Sequence, residues 1–279
     1  MYFHEYCNEV KTVFGYGVKE RVEVRQSAFQ TIEIYETLTH GHLMTIDGFV
    51  MLTTRDNYFY HEVMGHAGIA ACDTVKDVLI IGGGDCGTLR EVLAHKSVEK
   101  CTQVDIDEQV TRLSEKYFPE LTDKNYDPRA DIRFDDGVKF LQEAKDGSYD
   151  LIIVDSTDPV GPGEGLFNLD FHKQCMRALR DHGVLVQQSE SPLFQKHILK
   201  GIRENFENAG ACEVVTLAFP QPCYPSGLWS ATIASKQPIQ WESGYQTLRK
   251  LDHPLKYLTA NMLESLVLQS SSWPSVHDF

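Results

Sequence analysis

The stretch that decides the fold runs from Val75 to Gly87 and reads VKDVLIIGGGDCG. Its first half is a short apolar run, which is typical of a strand buried on both faces of a sheet. Its second half is a glycine loop, in which Gly82, Gly84 and Gly87 have the spacing G-x-G-x-x-G. Because a helical pattern follows the loop, the stretch predicts a strand, a tight turn and a helix, with a ligand site at the turn.

The pattern of apolar strand and amphipathic helix repeats along the chain. Strands are predicted at 75–81, 101–106, 132–134, 149–155, 184–188, 213–218 and 229–234. Helices are predicted at 88–95, 108–118, 138–144, 169–179 and 193–209. This alternation predicts an α/β fold with a mostly parallel sheet that is covered by helices on both faces. The last two strands have no helix between them and predict an antiparallel edge.

The N-terminal part of the chain has a different pattern. Short β-leaning runs fill residues 9–53, and Asp47-Gly48 indicates a hairpin. A helical pattern follows at 58–71. We therefore expect a small N-terminal antiparallel β-domain at 1–55 and a larger α/β domain at 56–279. The tail after Trp241 is expected to be a helix with a serine-rich end.

Composition excludes several classes of function. The 279 residues carry a formal net charge of −14, which repels nucleic acid and attracts cationic ligands. The apolar runs have the length of strands, so no membrane span is expected. The N-terminus lacks the features of a signal peptide, and the seven cysteines form no C-x-x-C pair or His/Cys cluster with metal-ligand spacing. We expect a cytoplasmic protein with reduced thiols and no bound metal.

An acidic residue inside the glycine loop restricts the kind of ligand. A pyrophosphate at a helix N-terminus needs amide donors without a carboxylate beside them, so Asp85 disfavours a dinucleotide. Asp85 instead favours a ligand that presents a cation at this point. The alternative is that Asp85 caps the following helix.

Acidic residues also follow the next two strands. Asp105 lies about 20 residues past the glycine loop, where an acidic side chain accepts the hydroxyls of a ribose. Asp107 is expected to cap the next helix. Asp136 is either an acceptor for an adenine amino group or a further helix cap. Together these residues predict a site for an adenosine-bearing molecule that needs no phosphate.

A pair of carboxylates and a long loop follow the strand at 149–155. Asp155 and Asp158 lie at the ligand edge of the predicted sheet. The Pro/Gly-rich residues 159–165 are too many for a tight connection, which is typical of a lid. A buried pair of carboxylates can hold a cationic amine and remove its proton. Opposite a glycine loop, this pair predicts an active site.

These motifs and some flanking segments occur in a fixed order. They are Asp47-Gly48 through Tyr60-His61-Glu62, GGGD with Gly87, VDID at 104–107, Asp136-Gly137, DSTDPVGP at 155–162 and PCYPSG at 222–227. The set extends over about residues 4–237 and resembles the polyamine aminopropyltransferase family. The resemblance implies a small N-terminal β-domain followed by a Rossmann-like, methyltransferase-type domain, assembled as a homodimer or homotetramer.

The resemblance also implies a reaction and roles for the site residues. An aminopropyl group would pass from the co-substrate decarboxylated S-adenosylmethionine to putrescine, giving spermidine and methylthioadenosine without a further cofactor. The donor would be held by Gln30, Gly82, Gly84, Asp85, Asp105, Asp136, Gly137 and Pro162. Asp155 would be the general base, with Tyr60 orienting the nitrogen. The amine channel would be lined by Tyr60, His61, Asp85, Asp155, Asp158, Gln188 and Tyr224.

Two residues depart from the family pattern. Cys86 replaces a glycine of the common GGGDGG loop and needs a compatible backbone angle. Asp105 replaces the common glutamate and reaches less far toward a ribose. Neither departure removes a catalytic group.

Other functions stay open. The same motifs fit a small-molecule methyltransferase that uses ordinary S-adenosylmethionine, and the glycine spacing alone fits a nicotinamide-dependent dehydrogenase. An acidic pocket also fits a protein that binds polyamines without catalysis. Among aminopropyltransferases, an acceptor such as cadaverine or spermidine would need only a modest change in channel length.

Overall fold

The computed structural model of the chain describes residues 1–159 and 161–272, without the side chains of Pro162 and of residues 268–272. The strands of the N-terminal sheet are β1 (Tyr2–Cys7), β2 (Thr12–Gln26), β3 (Thr31–Thr37), β4 (His42–Ile46) and β5 (Phe49–Thr53). The strands of the larger sheet are β6 (Asp77–Gly82), β7 (Lys100–Asp105), β8 (Ala130–Phe134), β9 (Tyr149–Asp155), β10 (Leu179–Gln188), β11 (Glu213–Pro220) and β12 (Leu228–Ser235).

The helices lie between and after these strands. They are α1 (Tyr58–Glu62), α2 (Gly68–Ala71), α3 (Gly87–Leu93), α4 (Glu108–Tyr117), α5 (Gly137–Glu143), α6 (Leu169–Ala178), α7 (Lys196–Asn208), α8 (Trp241–Arg249) and α9 (Ala260–Ser272). A π-helical turn, Val63–Ala67, joins α1 to α2, and a 3₁₀ helix, Gly161–Phe167, precedes α6. Within the described residues, no helix combines the length and the apolar character that a membrane span requires.

The N-terminal sheet pairs its strands antiparallel in the order β1-β2-β3-β4-β5. The predicted hairpin at Asp47-Gly48 is confirmed, since both residues have positive φ between β4 and β5. The sheet starts earlier than predicted, at Tyr2. Strand β1 was missed because it turns a charged residue, Glu5, toward the interior, so its inner face is not apolar throughout.

The larger sheet confirms the predicted α/β fold of the methyltransferase type. Its strand order is β11-β12-β10-β9-β6-β7-β8, in which β10, β9, β6, β7 and β8 pair in parallel. Strand β12 lies antiparallel between β10 and β11, as the missing helix between the last two strands predicts. The chain order reverses between β6 and β9, so a crevice opens at the carboxyl ends of these neighbours.

Apolar side chains fill both faces of the larger sheet. One face packs against α1, α2, α3, α8 and α9, and the other against α5, α6 and α7. Helix α4 joins the two sheets, because Val110 and Leu113 share an apolar cluster with Ile32 and Ile34 of β3. Burying each such side chain contributes about 1.5–3 kcal/mol. The predicted boundary at residue 55 falls in the turn between β5 and α1, and it stays a prediction.

The helix predicted at 58–71 is interrupted by its π-helical turn. Gly65 lies in this turn and packs against α3, where a Cβ at Gly65 would lie 2.8 Å from the Cβ of Glu91. A glycine therefore lets the two segments approach closely. The wider turn is not visible in the sequence, because a π-helical turn needs tertiary contacts to form.

The tail after Trp241 is more structured than predicted. It forms both α8 and α9, which pack against α2 and β11 and bury Leu258 and Leu263. The predicted serine-rich end is partly helical, since α9 extends to Ser272, and residues 273–279 lie outside the described residues.

Candidate active site

A cavity, which we call the central cavity, lies at the carboxyl ends of β6, β7 and β9. The predicted site residues that line it are Gln30, Tyr60, His61, Gly82, Gly84, Asp85, Asp105, Asp136, Gly137, Asp155 and Tyr224. A smaller side cavity adjoins it, since Met51, Tyr60, Ser156, Thr157 and Tyr224 line both. Asp158 and Gln188 line the side cavity. The side chain of Pro162 lies outside the described residues.

The glycine loop brings the ends of β6 and β9 together. Gly82 has a φ of +82°, and a Cβ at this position would lie 2.1 Å from the carbonyl oxygen of Asp155. The amide of Gly83 donates to the same oxygen at 2.7 Å. Cys86 has a φ of +68°, which is the left-handed angle that its departure from the family glycine requires.

Asp155 lies at the end of β9, where two hydroxyl groups hold its carboxylate. Tyr60 donates to Oδ1 at 2.6 Å, and Thr88 donates to Oδ2 at 2.6 Å. The side chain is buried but reaches the central cavity. Burial and the charge of Asp85 raise the pKa of Asp155 above its usual range, although the two hydroxyl groups oppose the rise. This arrangement can take up a proton from a bound ligand.

Asp85 is held from two sides. Its Oδ1 accepts the Gly87 amide at 2.7 Å, and its Oδ2 lies 3.2 Å from Nε2 of His61. Asp85 thus accepts the first amide of α3, whose N-cap residue is Cys86, and also lines the central cavity, while its role in ligand binding stays a prediction. Burial acts to raise the pKa of Asp85, but the charge and hydrogen bond of His61, together with the Gly87 amide and the charge of Arg90, lower it below its usual range. The same pair raises the pKa of His61 against the effect of its burial.

Hydrogen bonds connect several of the residues that are expected to bind the donor with their neighbours. Oδ1 of Asp105 accepts the Asp107 amide at 2.8 Å, and burial raises the pKa of Asp105 to about 6. Asp107 caps α4 as predicted, by accepting the Gln109 amide. It also accepts a hydrogen bond at 3.0 Å from Nε2 of Gln30. Asp136 caps α5, which confirms the cap interpretation. Asp136 also lines the central cavity.

The side cavity has an acidic wall. Glu5 lines it together with Asp158, and burial raises the pKa of Glu5 to about 7. Glu190 lies behind this wall, fully buried at a φ of +63°, and its side chain is hydrogen bonded to Asp158 and to Nε2 of Gln188. Burial and the charge of Asp158 raise the pKa of Glu190 well above its usual range. Both effects disfavour the charged form of Glu190 beside Asp158.

Matches to known proteins agree with this geometry. Residues 57–243 match the family model of the spermine/spermidine synthase domain, and residues 1–54 match that of the spermidine synthase tetramerisation domain. The chain belongs to the spermine/spermidine synthase family.

Members of the spermine/spermidine synthase family are similar to this chain over most of its length. A polyamine aminopropyltransferase of Xanthomonas oryzae pv. oryzae is 56% identical over 236 residues, which cover 85% of this chain and 83% of that relative. The polyamine aminopropyltransferase of Xanthomonas campestris pv. campestris has the same identity and coverage. These relatives confirm the resemblance that the motifs predict.

Solved structures of spermidine synthases have the same fold. One is a complex with the transition-state analogue AdoDATO, with a TM-score of 0.91 and 32% identity over 96% of this chain and 91% of that chain. The spermidine synthase of Thermotoga maritima has a TM-score of 0.89 and 32% identity over 98% of this chain and 91% of that chain. The Rossmann-like fold preceded by a small antiparallel sheet is thus common to these structures.

The motifs of the spermine/spermidine synthase family did not reveal three residues of the site. Thr88 directly follows the glycine loop, and its position after Gly87 is a signal that sequence analysis can use. Glu5 is a charged residue at an inward position of β1, which is visible once the strand is assigned. Glu190 has no local signal, because its place depends on a positive φ and on Asp158 from another loop.

Proposed function

We propose that the protein is a spermidine synthase, which transfers an aminopropyl group from decarboxylated S-adenosylmethionine to putrescine. The carboxylate of Asp155 carries this proposal, since it is buried, has a raised pKa and reaches the cavity between two hydroxyl groups. The family and the similar spermidine synthase in complex with AdoDATO support the same reaction class. The donor is a co-substrate that is consumed, and the proposed reaction needs no cofactor.

The proposed step is an in-line displacement. A primary amine nitrogen of putrescine bonds to the propyl carbon beside the sulfonium, the bond from that carbon to sulfur breaks, and its electron pair stays on sulfur in methylthioadenosine. The attacking amine must be neutral, because an ammonium has no lone pair. Asp155 accepts the proton that the amine loses, and Tyr60 orients the nitrogen. A raised pKa makes Asp155 a stronger base than an ordinary carboxylate.

The acidic groups of the two cavities hold substrates that repel each other. The sulfonium donor and the ammonium at the far end of putrescine are both positive, so alignment of the two molecules costs electrostatic energy in water. Asp85 lines the central cavity, while Asp158 and Glu5 line the side cavity. Much of the rate enhancement is therefore expected from holding both molecules in one reactive geometry.

Asp85 is proposed to select the decarboxylated donor. Its carboxylate attracts the free propylamine of this donor and repels the carboxylate that ordinary S-adenosylmethionine carries on the same arm. We predict that Asp85→Asn weakens binding of the decarboxylated donor. The variant is also expected to distinguish less between this donor and ordinary S-adenosylmethionine. Calorimetry with both molecules measures this preference, and an unchanged ratio of dissociation constants would exclude the role.

One experiment tests the proposed function directly. The protein is incubated with decarboxylated S-adenosylmethionine and either putrescine, cadaverine or spermidine, and products are identified by mass spectrometry. We expect spermidine and methylthioadenosine from putrescine at the highest rate. Faster turnover of another amine would show that this amine, and not putrescine, is the acceptor. A methylated product from ordinary S-adenosylmethionine would establish the methyltransferase alternative.

We also propose that the chain assembles as a homotetramer through its N-terminal sheet. Residues 1–54 match a tetramerisation domain, and β1 directs the rings of Tyr2 and Tyr6 outward with exposed fractions of 70% and 64%. Val13 of β2 and Leu38 add exposed apolar surface. Light scattering after size-exclusion chromatography is expected to give the mass of a tetramer for the wild type and a smaller mass for Tyr6→Ser. A monomeric wild type would contradict the proposal.

A further inference from the structure

A second cluster of chemically active side chains lies outside the residues that line the two cavities. His66 of the π-helical turn, Glu91 of α3 and His253 of the segment between α8 and α9 bring one ligand atom each to within 4.8 Å of the others. No spacing in the sequence indicates this set, because its members are separated by 25 and more residues. The proposed reaction uses none of the three.

Two of the three separations between the ligand atoms are close to those of a metal site. Oε2 of Glu91 lies 2.9 Å from Nε2 of His66 and 3.1 Å from Nε2 of His253. Ligand atoms that bind Zn²⁺ tetrahedrally at about 2.1 Å lie ~3.4 Å apart. The two histidine nitrogens lie within 4.8 Å of each other, so an ion at the centre would draw the ligand atoms into a tetrahedral arrangement. Each histidine would carry its proton on Nδ1 instead of Nε2, and the glutamate stays a carboxylate.

Outer partners hold two of the three side chains in place. Oε1 of Glu91 accepts hydrogen bonds from the guanidinium of Arg90, while Oε2 faces the two histidines and can act as a single ligand atom. Nδ1 of His66 lies 2.8 Å from Nε2 of His95, which can accept a hydrogen bond from it. Such outer hydrogen bonds orient ligands in protein metal sites and set the histidine tautomer.

The cluster is partly open to solvent at His253. Glu91 and His66 are buried, whereas the side chain of His253 keeps an exposed fraction of 25%. An ion can enter from the side of His253, and a water molecule can complete the coordination there. A set of two histidines and one glutamate with an open fourth position is typical of Zn²⁺ and related divalent ions.

We propose that His66, Glu91 and His253 form a binding site for one Zn²⁺ ion per chain. The ion connects the π-helical turn, α3 and the segment before α9, which are distant in the chain. Helix α3 also carries Thr88, one turn before Glu91, so the ion fixes the helix that orients the carboxylate of Asp155. The proposal departs from the expectation that the chain binds no metal.

The test uses the full chain after removal of metal with a chelator. Zn²⁺ is titrated in competition with a chromophoric chelator, and Co²⁺ is added separately as a spectroscopic probe. We expect one equivalent of Zn²⁺ per chain, a higher melting temperature with Zn²⁺, and the visible absorption of four-coordinate Co²⁺. His253→Gln removes the exposed ligand, so it is expected to lower Zn²⁺ affinity by about tenfold or more.

A matched control separates this site from general binding by histidines. His182 is exposed in β10, outside the cluster, and His182→Asn is expected to bind Zn²⁺ like the wild type. The proposal is overturned if the wild type takes up no stoichiometric Zn²⁺, or if His253→Gln binds it as tightly as the wild type. Because His253 is partly exposed, its variant is expected to fold, and circular dichroism verifies this.

Discussion

Asp155 experiences influences that shift its pKa in opposite directions. Burial and the charge of Asp85 raise the pKa, while hydrogen bonds from Thr88 and Tyr60 stabilise the carboxylate and lower it. The ionised form is the proposed base, so activity is lost as the pH falls below this pKa. Together with the charge of His61, the two hydroxyl groups therefore keep the lower pH limit of the reaction below the value that burial and Asp85 alone would give.

Removing one hydroxyl group tests this balance. Thr88→Val deletes a hydrogen bond to the carboxylate, so the acid limb of kcat/KM is expected to move to higher pH by about half a unit or more. Thr88→Ser keeps the hydroxyl group and serves as the matched control. Initial rates across the pH range measure both variants, and an acid limb that moves equally in both would show that the hydroxyl is not the cause.

Removing the base itself gives a larger effect. Asp155→Asn keeps the shape of the side chain but cannot accept the proton, so kcat is expected to fall by about 10²–10⁴-fold. The affinity for the decarboxylated donor is expected to stay within a few-fold, since the donor contacts are assigned to other residues. Single-turnover rates and calorimetry separate the two quantities. A kcat within a few-fold of the wild type would remove Asp155 from the base role.

At the scale of elements, one buried carboxylate connects the first helix to the C-terminal helices. Glu62 at the end of α1 accepts the backbone amides of Lys256, Tyr257 and Leu258 at 2.7 to 2.9 Å. These amides directly precede α9, and the carboxylate is almost fully buried. Glu62 thereby fixes the segment that also contains His253.

Loss of this carboxylate is expected to destabilise the fold. Glu62→Ala leaves three inward-facing amides without their acceptor, so the free energy of unfolding is expected to fall by about 3 kcal/mol. Glu99→Ala is the control, because Glu99 is exposed and pairs with Lys76 at the surface. Urea unfolding measures both variants. Equal stability of the two variants would contradict the role of Glu62.

At the scale of the whole molecule, buried acidic side chains are concentrated where the proposed cationic substrates bind. Glu5, Asp158 and Glu190 lie together although each burial disfavours the charged form. Burying these acidic groups close together lowers the stability of the free protein, and bound cations offset this electrostatic cost. The overall charge of −14 acts in the same direction, because it attracts such substrates.

The pH dependence of stability tests whether the buried acidic groups destabilise the folded protein. Burial raises the pKa of Glu5 from 4.5 to about 7, so the folded state favours the protonated form. The stabilising effect of protonation is complete below about pH 4.5 and is lost as the pH rises to about 7, a loss of about 3 kcal/mol. The free energy of unfolding of Glu5→Gln is therefore expected to change less than that of the wild type between about pH 5 and about pH 8. An unchanged dependence in urea unfolding would contradict the assignment.

Local patterns were sufficient to predict most of the fold. Strand β9 has the predicted bounds Tyr149–Asp155, because a continuous apolar run in a parallel sheet is buried whatever its neighbours are. The glycine loop is equally visible in the sequence, since glycine accommodates the positive φ of Gly82 without strain. The positions of Asp85, Asp105 and Asp155 follow from these strands, because parallel strands end at the same edge of the sheet.

The sequence by itself thus determined the α/β fold, the ligand edge and the acidic residues along it, since these depend on short-range periodicity. Tertiary structure alone decided which groups meet: Thr88 with Asp155, Glu190 with Asp158, and His66 with Glu91 and His253. The physical reason is that hydrogen bonds and electrostatic shifts act over a few ångströms in space, and the chain brings together residues that are up to about 190 positions apart in sequence.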